Sequence, residues 1–88
     1  MNLVQIDCNE MTEREQAHGY LAKQFRFPEW YGANLDALYD CLTEIGEETE
    51  IEVLHVEALN HLGNYGHLLL ETIYDAELEN EYLTVLEK

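Results

Sequence analysis

The stretch Phe27-Pro28-Glu29-Trp30-Tyr31-Gly32-Ala33-Asn34-Leu35-Asp36-Ala37-Leu38-Tyr39-Asp40-Cys41-Leu42 gathers most of the chain's chemically useful side chains. Asp36 and Asp40 are four residues apart, which on a helix places both carboxylates on one face, beside Tyr39. A carboxylate pair can serve acid–base catalysis, but that needs a pocket that raises one pKa, and nothing in the surrounding sequence suggests one. Cys41 is a poor nucleophile, since acidic neighbours raise a thiol's pKa and no oxyanion device is visible. His55, His61 and His67 lack the i, i+4 spacing of a zinc helix, and no oxygen-rich loop resembles a calcium site. Binding fits better: Trp30, Tyr31 and Tyr39 supply large contact areas, and aromatic anchors among charges are typical of protein interfaces. By spacing alone the two aspartates also read as a solvated helix face, and the helix dipole favours Asp36 near an N-terminus whatever its role.

Composition sets the kind of partner. The chain has 88 residues, 47% of them hydrophobic, with 4 Lys and Arg against 19 Asp and Glu, for a formal charge of −15. That apolar fraction belongs to a folded domain, expected to be a single unit over 1–88 with a radius of gyration of about 12 Å. Nucleic acid and anionic membranes both require Lys and Arg, so neither is a direct partner, and a basic protein is the complement. Asp7, Glu10, Glu13 and Glu15 aside, the other 15 acids lie between residues 27 and 87, where no Lys or Arg occurs. The longest apolar runs, such as Leu68 to Leu70, are far short of a membrane span or a signal peptide, so a soluble, cytoplasmic protein is expected. Cys8 and Cys41 are accordingly expected as reduced thiols.

These residues need elements to hold them. Leu3 to Ile6 reads as a short buried strand, and Thr12 with Glu15 as a capping box opening a helix that carries Ala17, Tyr20, Leu21 and Phe25. Pro28 marks the end of that helix or the loop beyond it. Asn34 is a good N-cap for a second helix with Leu35, Leu38, Leu42 and Ile45 on its apolar stripe and Gly46 as its stop. A second strand runs from Thr49 through Val56, a third from Tyr82 to Leu86, and between them Tyr65 to about Glu79 is helical after an irregular lead-in from Asn60 to Gly66. Strands separated by helices favour parallel pairing, so the expected architecture is a small α/β fold. Gly32 reads as a backbone requirement, either a positive φ or a close approach. Trp30 and Tyr31 fit either the core edge or the surface, and Glu44, Glu47, Glu48, Glu50 and Glu52 read as a solvated edge.

The Phe27–Leu42 pattern resembles that of the barstar family, intracellular inhibitors of small secreted ribonucleases: proline, two aromatics, glycine, then Asn34-Leu35-Asp36-Ala37-Leu38, Tyr39 and Asp40-Cys41-Leu42 without a gap. Chain length and the order of strands and helices agree over essentially the whole sequence. The resemblance implies a two-layer fold, a three-stranded parallel sheet packed against helices, with no cofactor and no catalytic activity. It implies a 1:1 complex with a small basic, barnase-like ribonuclease, an immunity or self-protection role, and a monomer when free. Asp40 then stands where a substrate phosphate would sit, with Asp36 as its partner. Trp30, Gly32, Asn34, Leu35 and Tyr39 fall at family contact positions, Thr43 beside the end of that surface, and Asp75 opposite a family glutamate that touches the enzyme.

The chain departs from the family's best-known member in having Trp30 in place of tyrosine, Tyr39 in place of tryptophan and Ala33 in place of an acid. Glu44-Ile45-Gly46 lacks an aromatic, Glu81 lies near the place of a family cysteine, and Cys8 has no counterpart. The alternative is an acidic module of the same fold, a general polyanion mimic for some other basic protein.

Overall fold

The computed structural model describes residues 1–88. Strand β1 (Asn2–Asp7) is followed by a short 3-10 turn and helix α1 (Arg14–Phe25), then helix α2 (Leu35–Thr43) and strand β2 (Thr49–Leu54). A 3-10 stretch (Val56–Leu62) leads into helix α3 (Asn64–Glu79) and strand β3 (Leu83–Glu87). All pairing is parallel in the order β1-β2-β3, with Val4, Ile51 and Val85 in one row across the sheet. The fold is the expected small α/β, and the radius of gyration is 11.7 Å. No helix is long and apolar enough to cross a membrane.

Alternation along the strands decides what each face does. Ile6, Ile51, Val53, Leu83 and Val85 point to one face and share a core with Ala17 and Leu21 of α1, Leu38 and Leu42 of α2, and Leu69, Ile73 and Ala76 of α3. Their neighbours Leu3, Gln5, Thr84 and Leu86 are exposed on the other face, so β1, expected as a buried strand, is buried on one face only. Both sheet edges are closed by helix side chains. At β1 the Gln24 amide donates to the Gln5 carbonyl at 2.8 Å and the Asp7 N–H donates to the Tyr20 hydroxyl at 2.9 Å. At β3 the Val85 N–H donates to the Glu77 carboxylate at 2.6 Å, which removes a strand-pairing donor.

Several element ends fall elsewhere than the local sequence implies. The Thr12/Glu15 capping box does not form: α1 begins one residue later, behind Glu13, and Gln16 instead reaches back to accept the Thr12 N–H at 2.9 Å. Helix α2 stops at Thr43, not Gly46, because its last carbonyls are taken from outside the helix. The amide of buried Asn80, just past α3, donates to the Leu42 carbonyl in the last turn (3.0 Å) and to the Ile45 carbonyl just beyond the helix (2.9 Å), so a C-terminal glycine is not required. Strand β2 ends at Leu54 because His55 turns into the left-handed region at φ 55°.

The acids remain as unbalanced in space as in sequence. The one Lys or Arg ion pair is Lys88 with Glu52 at 3.7 Å, and Nδ1 of His55 lies 3.0 Å from the Asp7 carboxylate, so most carboxylates face only water and each other. Moderate salt should therefore raise the stability of the free protein by screening this repulsion. The expected result is a thermal midpoint that climbs as sodium chloride is added to dilute buffer; a midpoint that falls would contradict it.

Candidate partner-binding face

The loop between α1 and α2 is built from aromatic contacts. Phe25 and Phe27 stack with ring centroids 5.1 Å apart, Phe27 and Tyr31 follow at 4.8 Å, and the Tyr31 N–H closes a turn onto the Pro28 carbonyl at 3.0 Å. Tyr31 is half-buried, its hydroxyl 2.7 Å from Nδ1 of His18, whereas Trp30 is 76% exposed. The two residues divide the roles left open between them: Tyr31 is a core-edge anchor and Trp30 a surface indole. Burial drives the Tyr31 phenol's pKa up, so it stays a neutral hydroxyl.

Gly32 does not adopt a positive φ; that conformation falls on Ala33, at φ 53°. What Gly32 supplies is space, since a side chain there would press on the Ala37 Cβ at 3.3 Å. Asn34 is the N-cap, its Oδ1 accepting the Ala37 N–H at 2.7 Å while its Nδ2 donates to the Gly32 carbonyl at 3.3 Å. Its side chain thus fixes how the loop enters the helix.

Helix α2 turns Leu38 and Leu42 into the core, with Leu35 packed at its margin, and leaves Asp36, Asp40 and, at its C-cap, Glu44 exposed at every fourth position. No Lys or Arg of this chain pairs with any of the three. Thr43, half-buried, donates its hydroxyl back to the Tyr39 carbonyl at 2.9 Å. Beside the helix lies an open groove of about 350 Å³ walled by Trp30, Tyr31 and Gly32 on the loop side and by Asp40, Thr43 and Glu44 on the other. Cys41 is a free thiol on its floor, kept protonated first by burial and then by Glu44 and Asp40, which suits lining rather than attack. Cys8, also free, is fully buried and its pKa is pushed up to about 11.

Of the residues singled out from the sequence, Trp30, Gly32, Asp40 and Thr43 converge on this groove, and Asp36 continues the carboxylate row one turn earlier. Tyr39 sits on the flank toward α3. Burial first, then Glu79, Asp75 and Asp40, raises its phenol's pKa, so Asp75 shares the electrostatic surroundings of the α2 face. Asn34 and Leu35 serve the junction and the core margin. Sequence reasoning missed Glu44, read only as part of a solvated edge although it lies four residues beyond Asp40. It also missed Glu79, and the buried His18, for which no local signal exists.

The matching family model is Barstar (barnase inhibitor), and it covers residues 1–86. The chain is also similar to a protein of Bacillus subtilis (strain 168) named "Putative ribonuclease inhibitor YrdF": the two are 35% identical over 91 residues, spanning 99% of this chain and all of that one. This chain belongs to the barstar family.

Proposed function

We propose that this protein inhibits a small basic, barnase-like ribonuclease in a 1:1 complex, with α2 and the loop before it occluding the enzyme's active site. The observation that carries the reading is the row of exposed carboxylates on α2, unpaired within the chain, beside an open groove and an exposed indole. Family membership supports a barnase-inhibitor-like role in general. In the complex Asp40 takes the place of a substrate phosphate, with Asp36 beside it and Glu44 extending the row. Trp30 and Tyr39 supply apolar contact on either flank, and Asp75 adds charge from α3. Asn34 and Leu35 hold the loop–helix junction in register, and Gly32 and Thr43 contact the partner across the groove rim.

The mechanism is binding, with no bond made or broken. Opposite net charges steer the encounter and raise the association rate at low salt, while desolvated carboxylates fix orientation and residence time. A free monomer in the cytoplasm of the producing cell would protect it from its own toxin or a competitor's. The test is a titration of RNA cleavage by barnase and by small basic ribonucleases of the host. Cleavage should fall linearly to zero at one equivalent for the cognate enzyme. Undiminished cleavage by all of them at tenfold excess would refute the reading.

A further inference from the structure

A hydrogen-bonded chain crosses the core behind the binding face. His18 in α1 is 0% exposed, with Nδ1 2.7 Å from the Tyr31 hydroxyl and Nε2 2.6 Å from the Tyr65 hydroxyl. Tyr31 belongs to the loop that presents Trp30, and Tyr65 to the first turn of α3. The Arg14 guanidinium covers the outer side of the Tyr65 ring, 4.1 Å from its centroid. Three elements distant in sequence thus meet on one imidazole.

The number of protons on that ring decides whether the chain is satisfied. A neutral imidazole offers one donor and one acceptor, so one tyrosine donates to it and the other accepts from it. A protonated ring offers two donors. Both hydroxyls must then accept, and the one that had been donating must turn its proton elsewhere at the core edge. The groups facing His18 give the cation no help. Arg14 on its own helix is positive, Tyr31 and Tyr65 present only hydroxyls, and the Cys41 thiol of α2 bears on Tyr31 rather than on the ring.

We infer that His18 and Tyr65 are positioning residues: the Tyr31–His18–Tyr65 clamp holds the Phe27–Ala33 loop, and Trp30 with it, in the partner-ready position, and acid releases it. The significance for inhibition rests on the function proposed above; the clamp itself does not. Burial first and Arg14 second lower the pKa of His18 below its ordinary 6.5. A neutral histidine favoured by folding stabilises the native state fully above the unfolded pKa, and that contribution is lost as pH falls below it. The clamp therefore holds at neutral pH and loosens only as acid protonates the ring, at a pH below the ordinary histidine value.

The loop can be read without any partner, by ¹⁵N relaxation of its amides and by the anisotropy decay of Trp30, the only tryptophan. At pH 7.5 the parent's Trp30 and Gly32 amides should be as ordered as β2, near 0.85, and should drop below about 0.6 in Tyr65→Phe while β2 is unchanged. Tyr31→Phe should act alike, and the double variant should add nothing, since both cut one chain. Acidifying the parent through the His18 titration should free the loop in step with the His18 ring resonances, a pH response that Tyr65→Phe lacks. Binding should follow: a severalfold slower association of Tyr65→Phe with the cognate ribonuclease at pH 7.5. Parent-like loop order in Tyr65→Phe, or a loop that stays ordered while His18 titrates, would overturn the clamp. A loop that is released in a protein that inhibits no ribonuclease would leave the clamp standing and remove the proposed function instead.

Discussion

Asp40→Ala is expected to weaken inhibition of the cognate ribonuclease on the order of a hundred- to a thousandfold, the scale on which removing one partner strands a buried opposite charge. The loss should appear mainly as faster dissociation, because the stranded cations belong to the bound enzyme. Asp36→Ala, one turn earlier and outside the groove that Asp40 lines, should cost less. Asp40→Ala should not destabilise the free protein, and Asp36→Ala should cost it no more than the helix-dipole term of a first-turn carboxylate, about 0.3–1 kcal/mol. Asp40 is exposed and pairs with nothing in this chain, so removing it relieves repulsion without opening a cavity. The measurement pairs inhibition titrations with a urea unfolding curve of each variant. An Asp40→Ala protein that inhibits like the parent would detach the α2 carboxylates from the mechanism.

Gly66→Ala should be among the most damaging single-methyl additions available in this chain. Gly66 is buried in the first turns of α3, against the backbone of Leu59. A methyl group there would stand well inside van der Waals distance of the Leu59 carbonyl oxygen, and 3.1 Å from its carbonyl carbon and Cβ. Two effects oppose. Alanine in a helix gains roughly 0.5–1 kcal/mol over glycine, whereas forcing an extra methyl into packed atoms costs about 1–3 kcal/mol or more. The second wins here because the obstacle is backbone, which cannot rotate away. A net loss of about 1–2 kcal/mol or more, or failure to fold, is expected, against a total of only about 5–15 kcal/mol for a domain. Gly19→Ala in α1 is the matched control: nothing lies within 4 Å of its added methyl, so it should gain the helix term alone. Equal stability of the two alanine variants in urea would contradict the close approach.

How far the sequence reads through to the structure depends on whether a feature is set by neighbours in the chain. Helix α2 was legible because Asn34 caps it and its leucines recur at three and four, all local. Its end was not, because Asn80, nearly 40 positions on, supplies the closing donor. The box at Thr12 fails by one residue because a longer side chain, Gln16, does the reaching back. Leu3-Val4-Gln5-Ile6 carries apolar residues of both parities, so local pattern could not reveal that only Val4 and Ile6 face the core side. Of the two backbone needs that Gly32 could serve, it meets the close approach, while the positive φ falls on Ala33, a strain that the loop's tertiary anchors overrule.

The candidate face divides in the same way. Asp36 and Asp40 were readable from spacing, and their part in binding from the resemblance. Glu44 continues the same spacing but was hidden among other glutamates. Glu79, and the approach of Asp75 to Tyr39, depend on how α3 lies against α2, which no local pattern encodes. His18 was unreadable for the same reason: its two partners lie 13 and 47 residues away.

The most direct test of inhibition through the acidic face is a capture comparison. The parent and an Asp36→Ala/Asp40→Ala version are immobilised side by side, and culture medium and lysate of the producing organism are passed over both at moderate salt. Retained proteins are identified by mass spectrometry and assayed for RNA cleavage. The account predicts a small basic ribonuclease that is held by the parent, silenced by it, and absent from the double variant. Equal retention by both, or retention by the parent of only basic proteins that cleave no RNA, would contradict it.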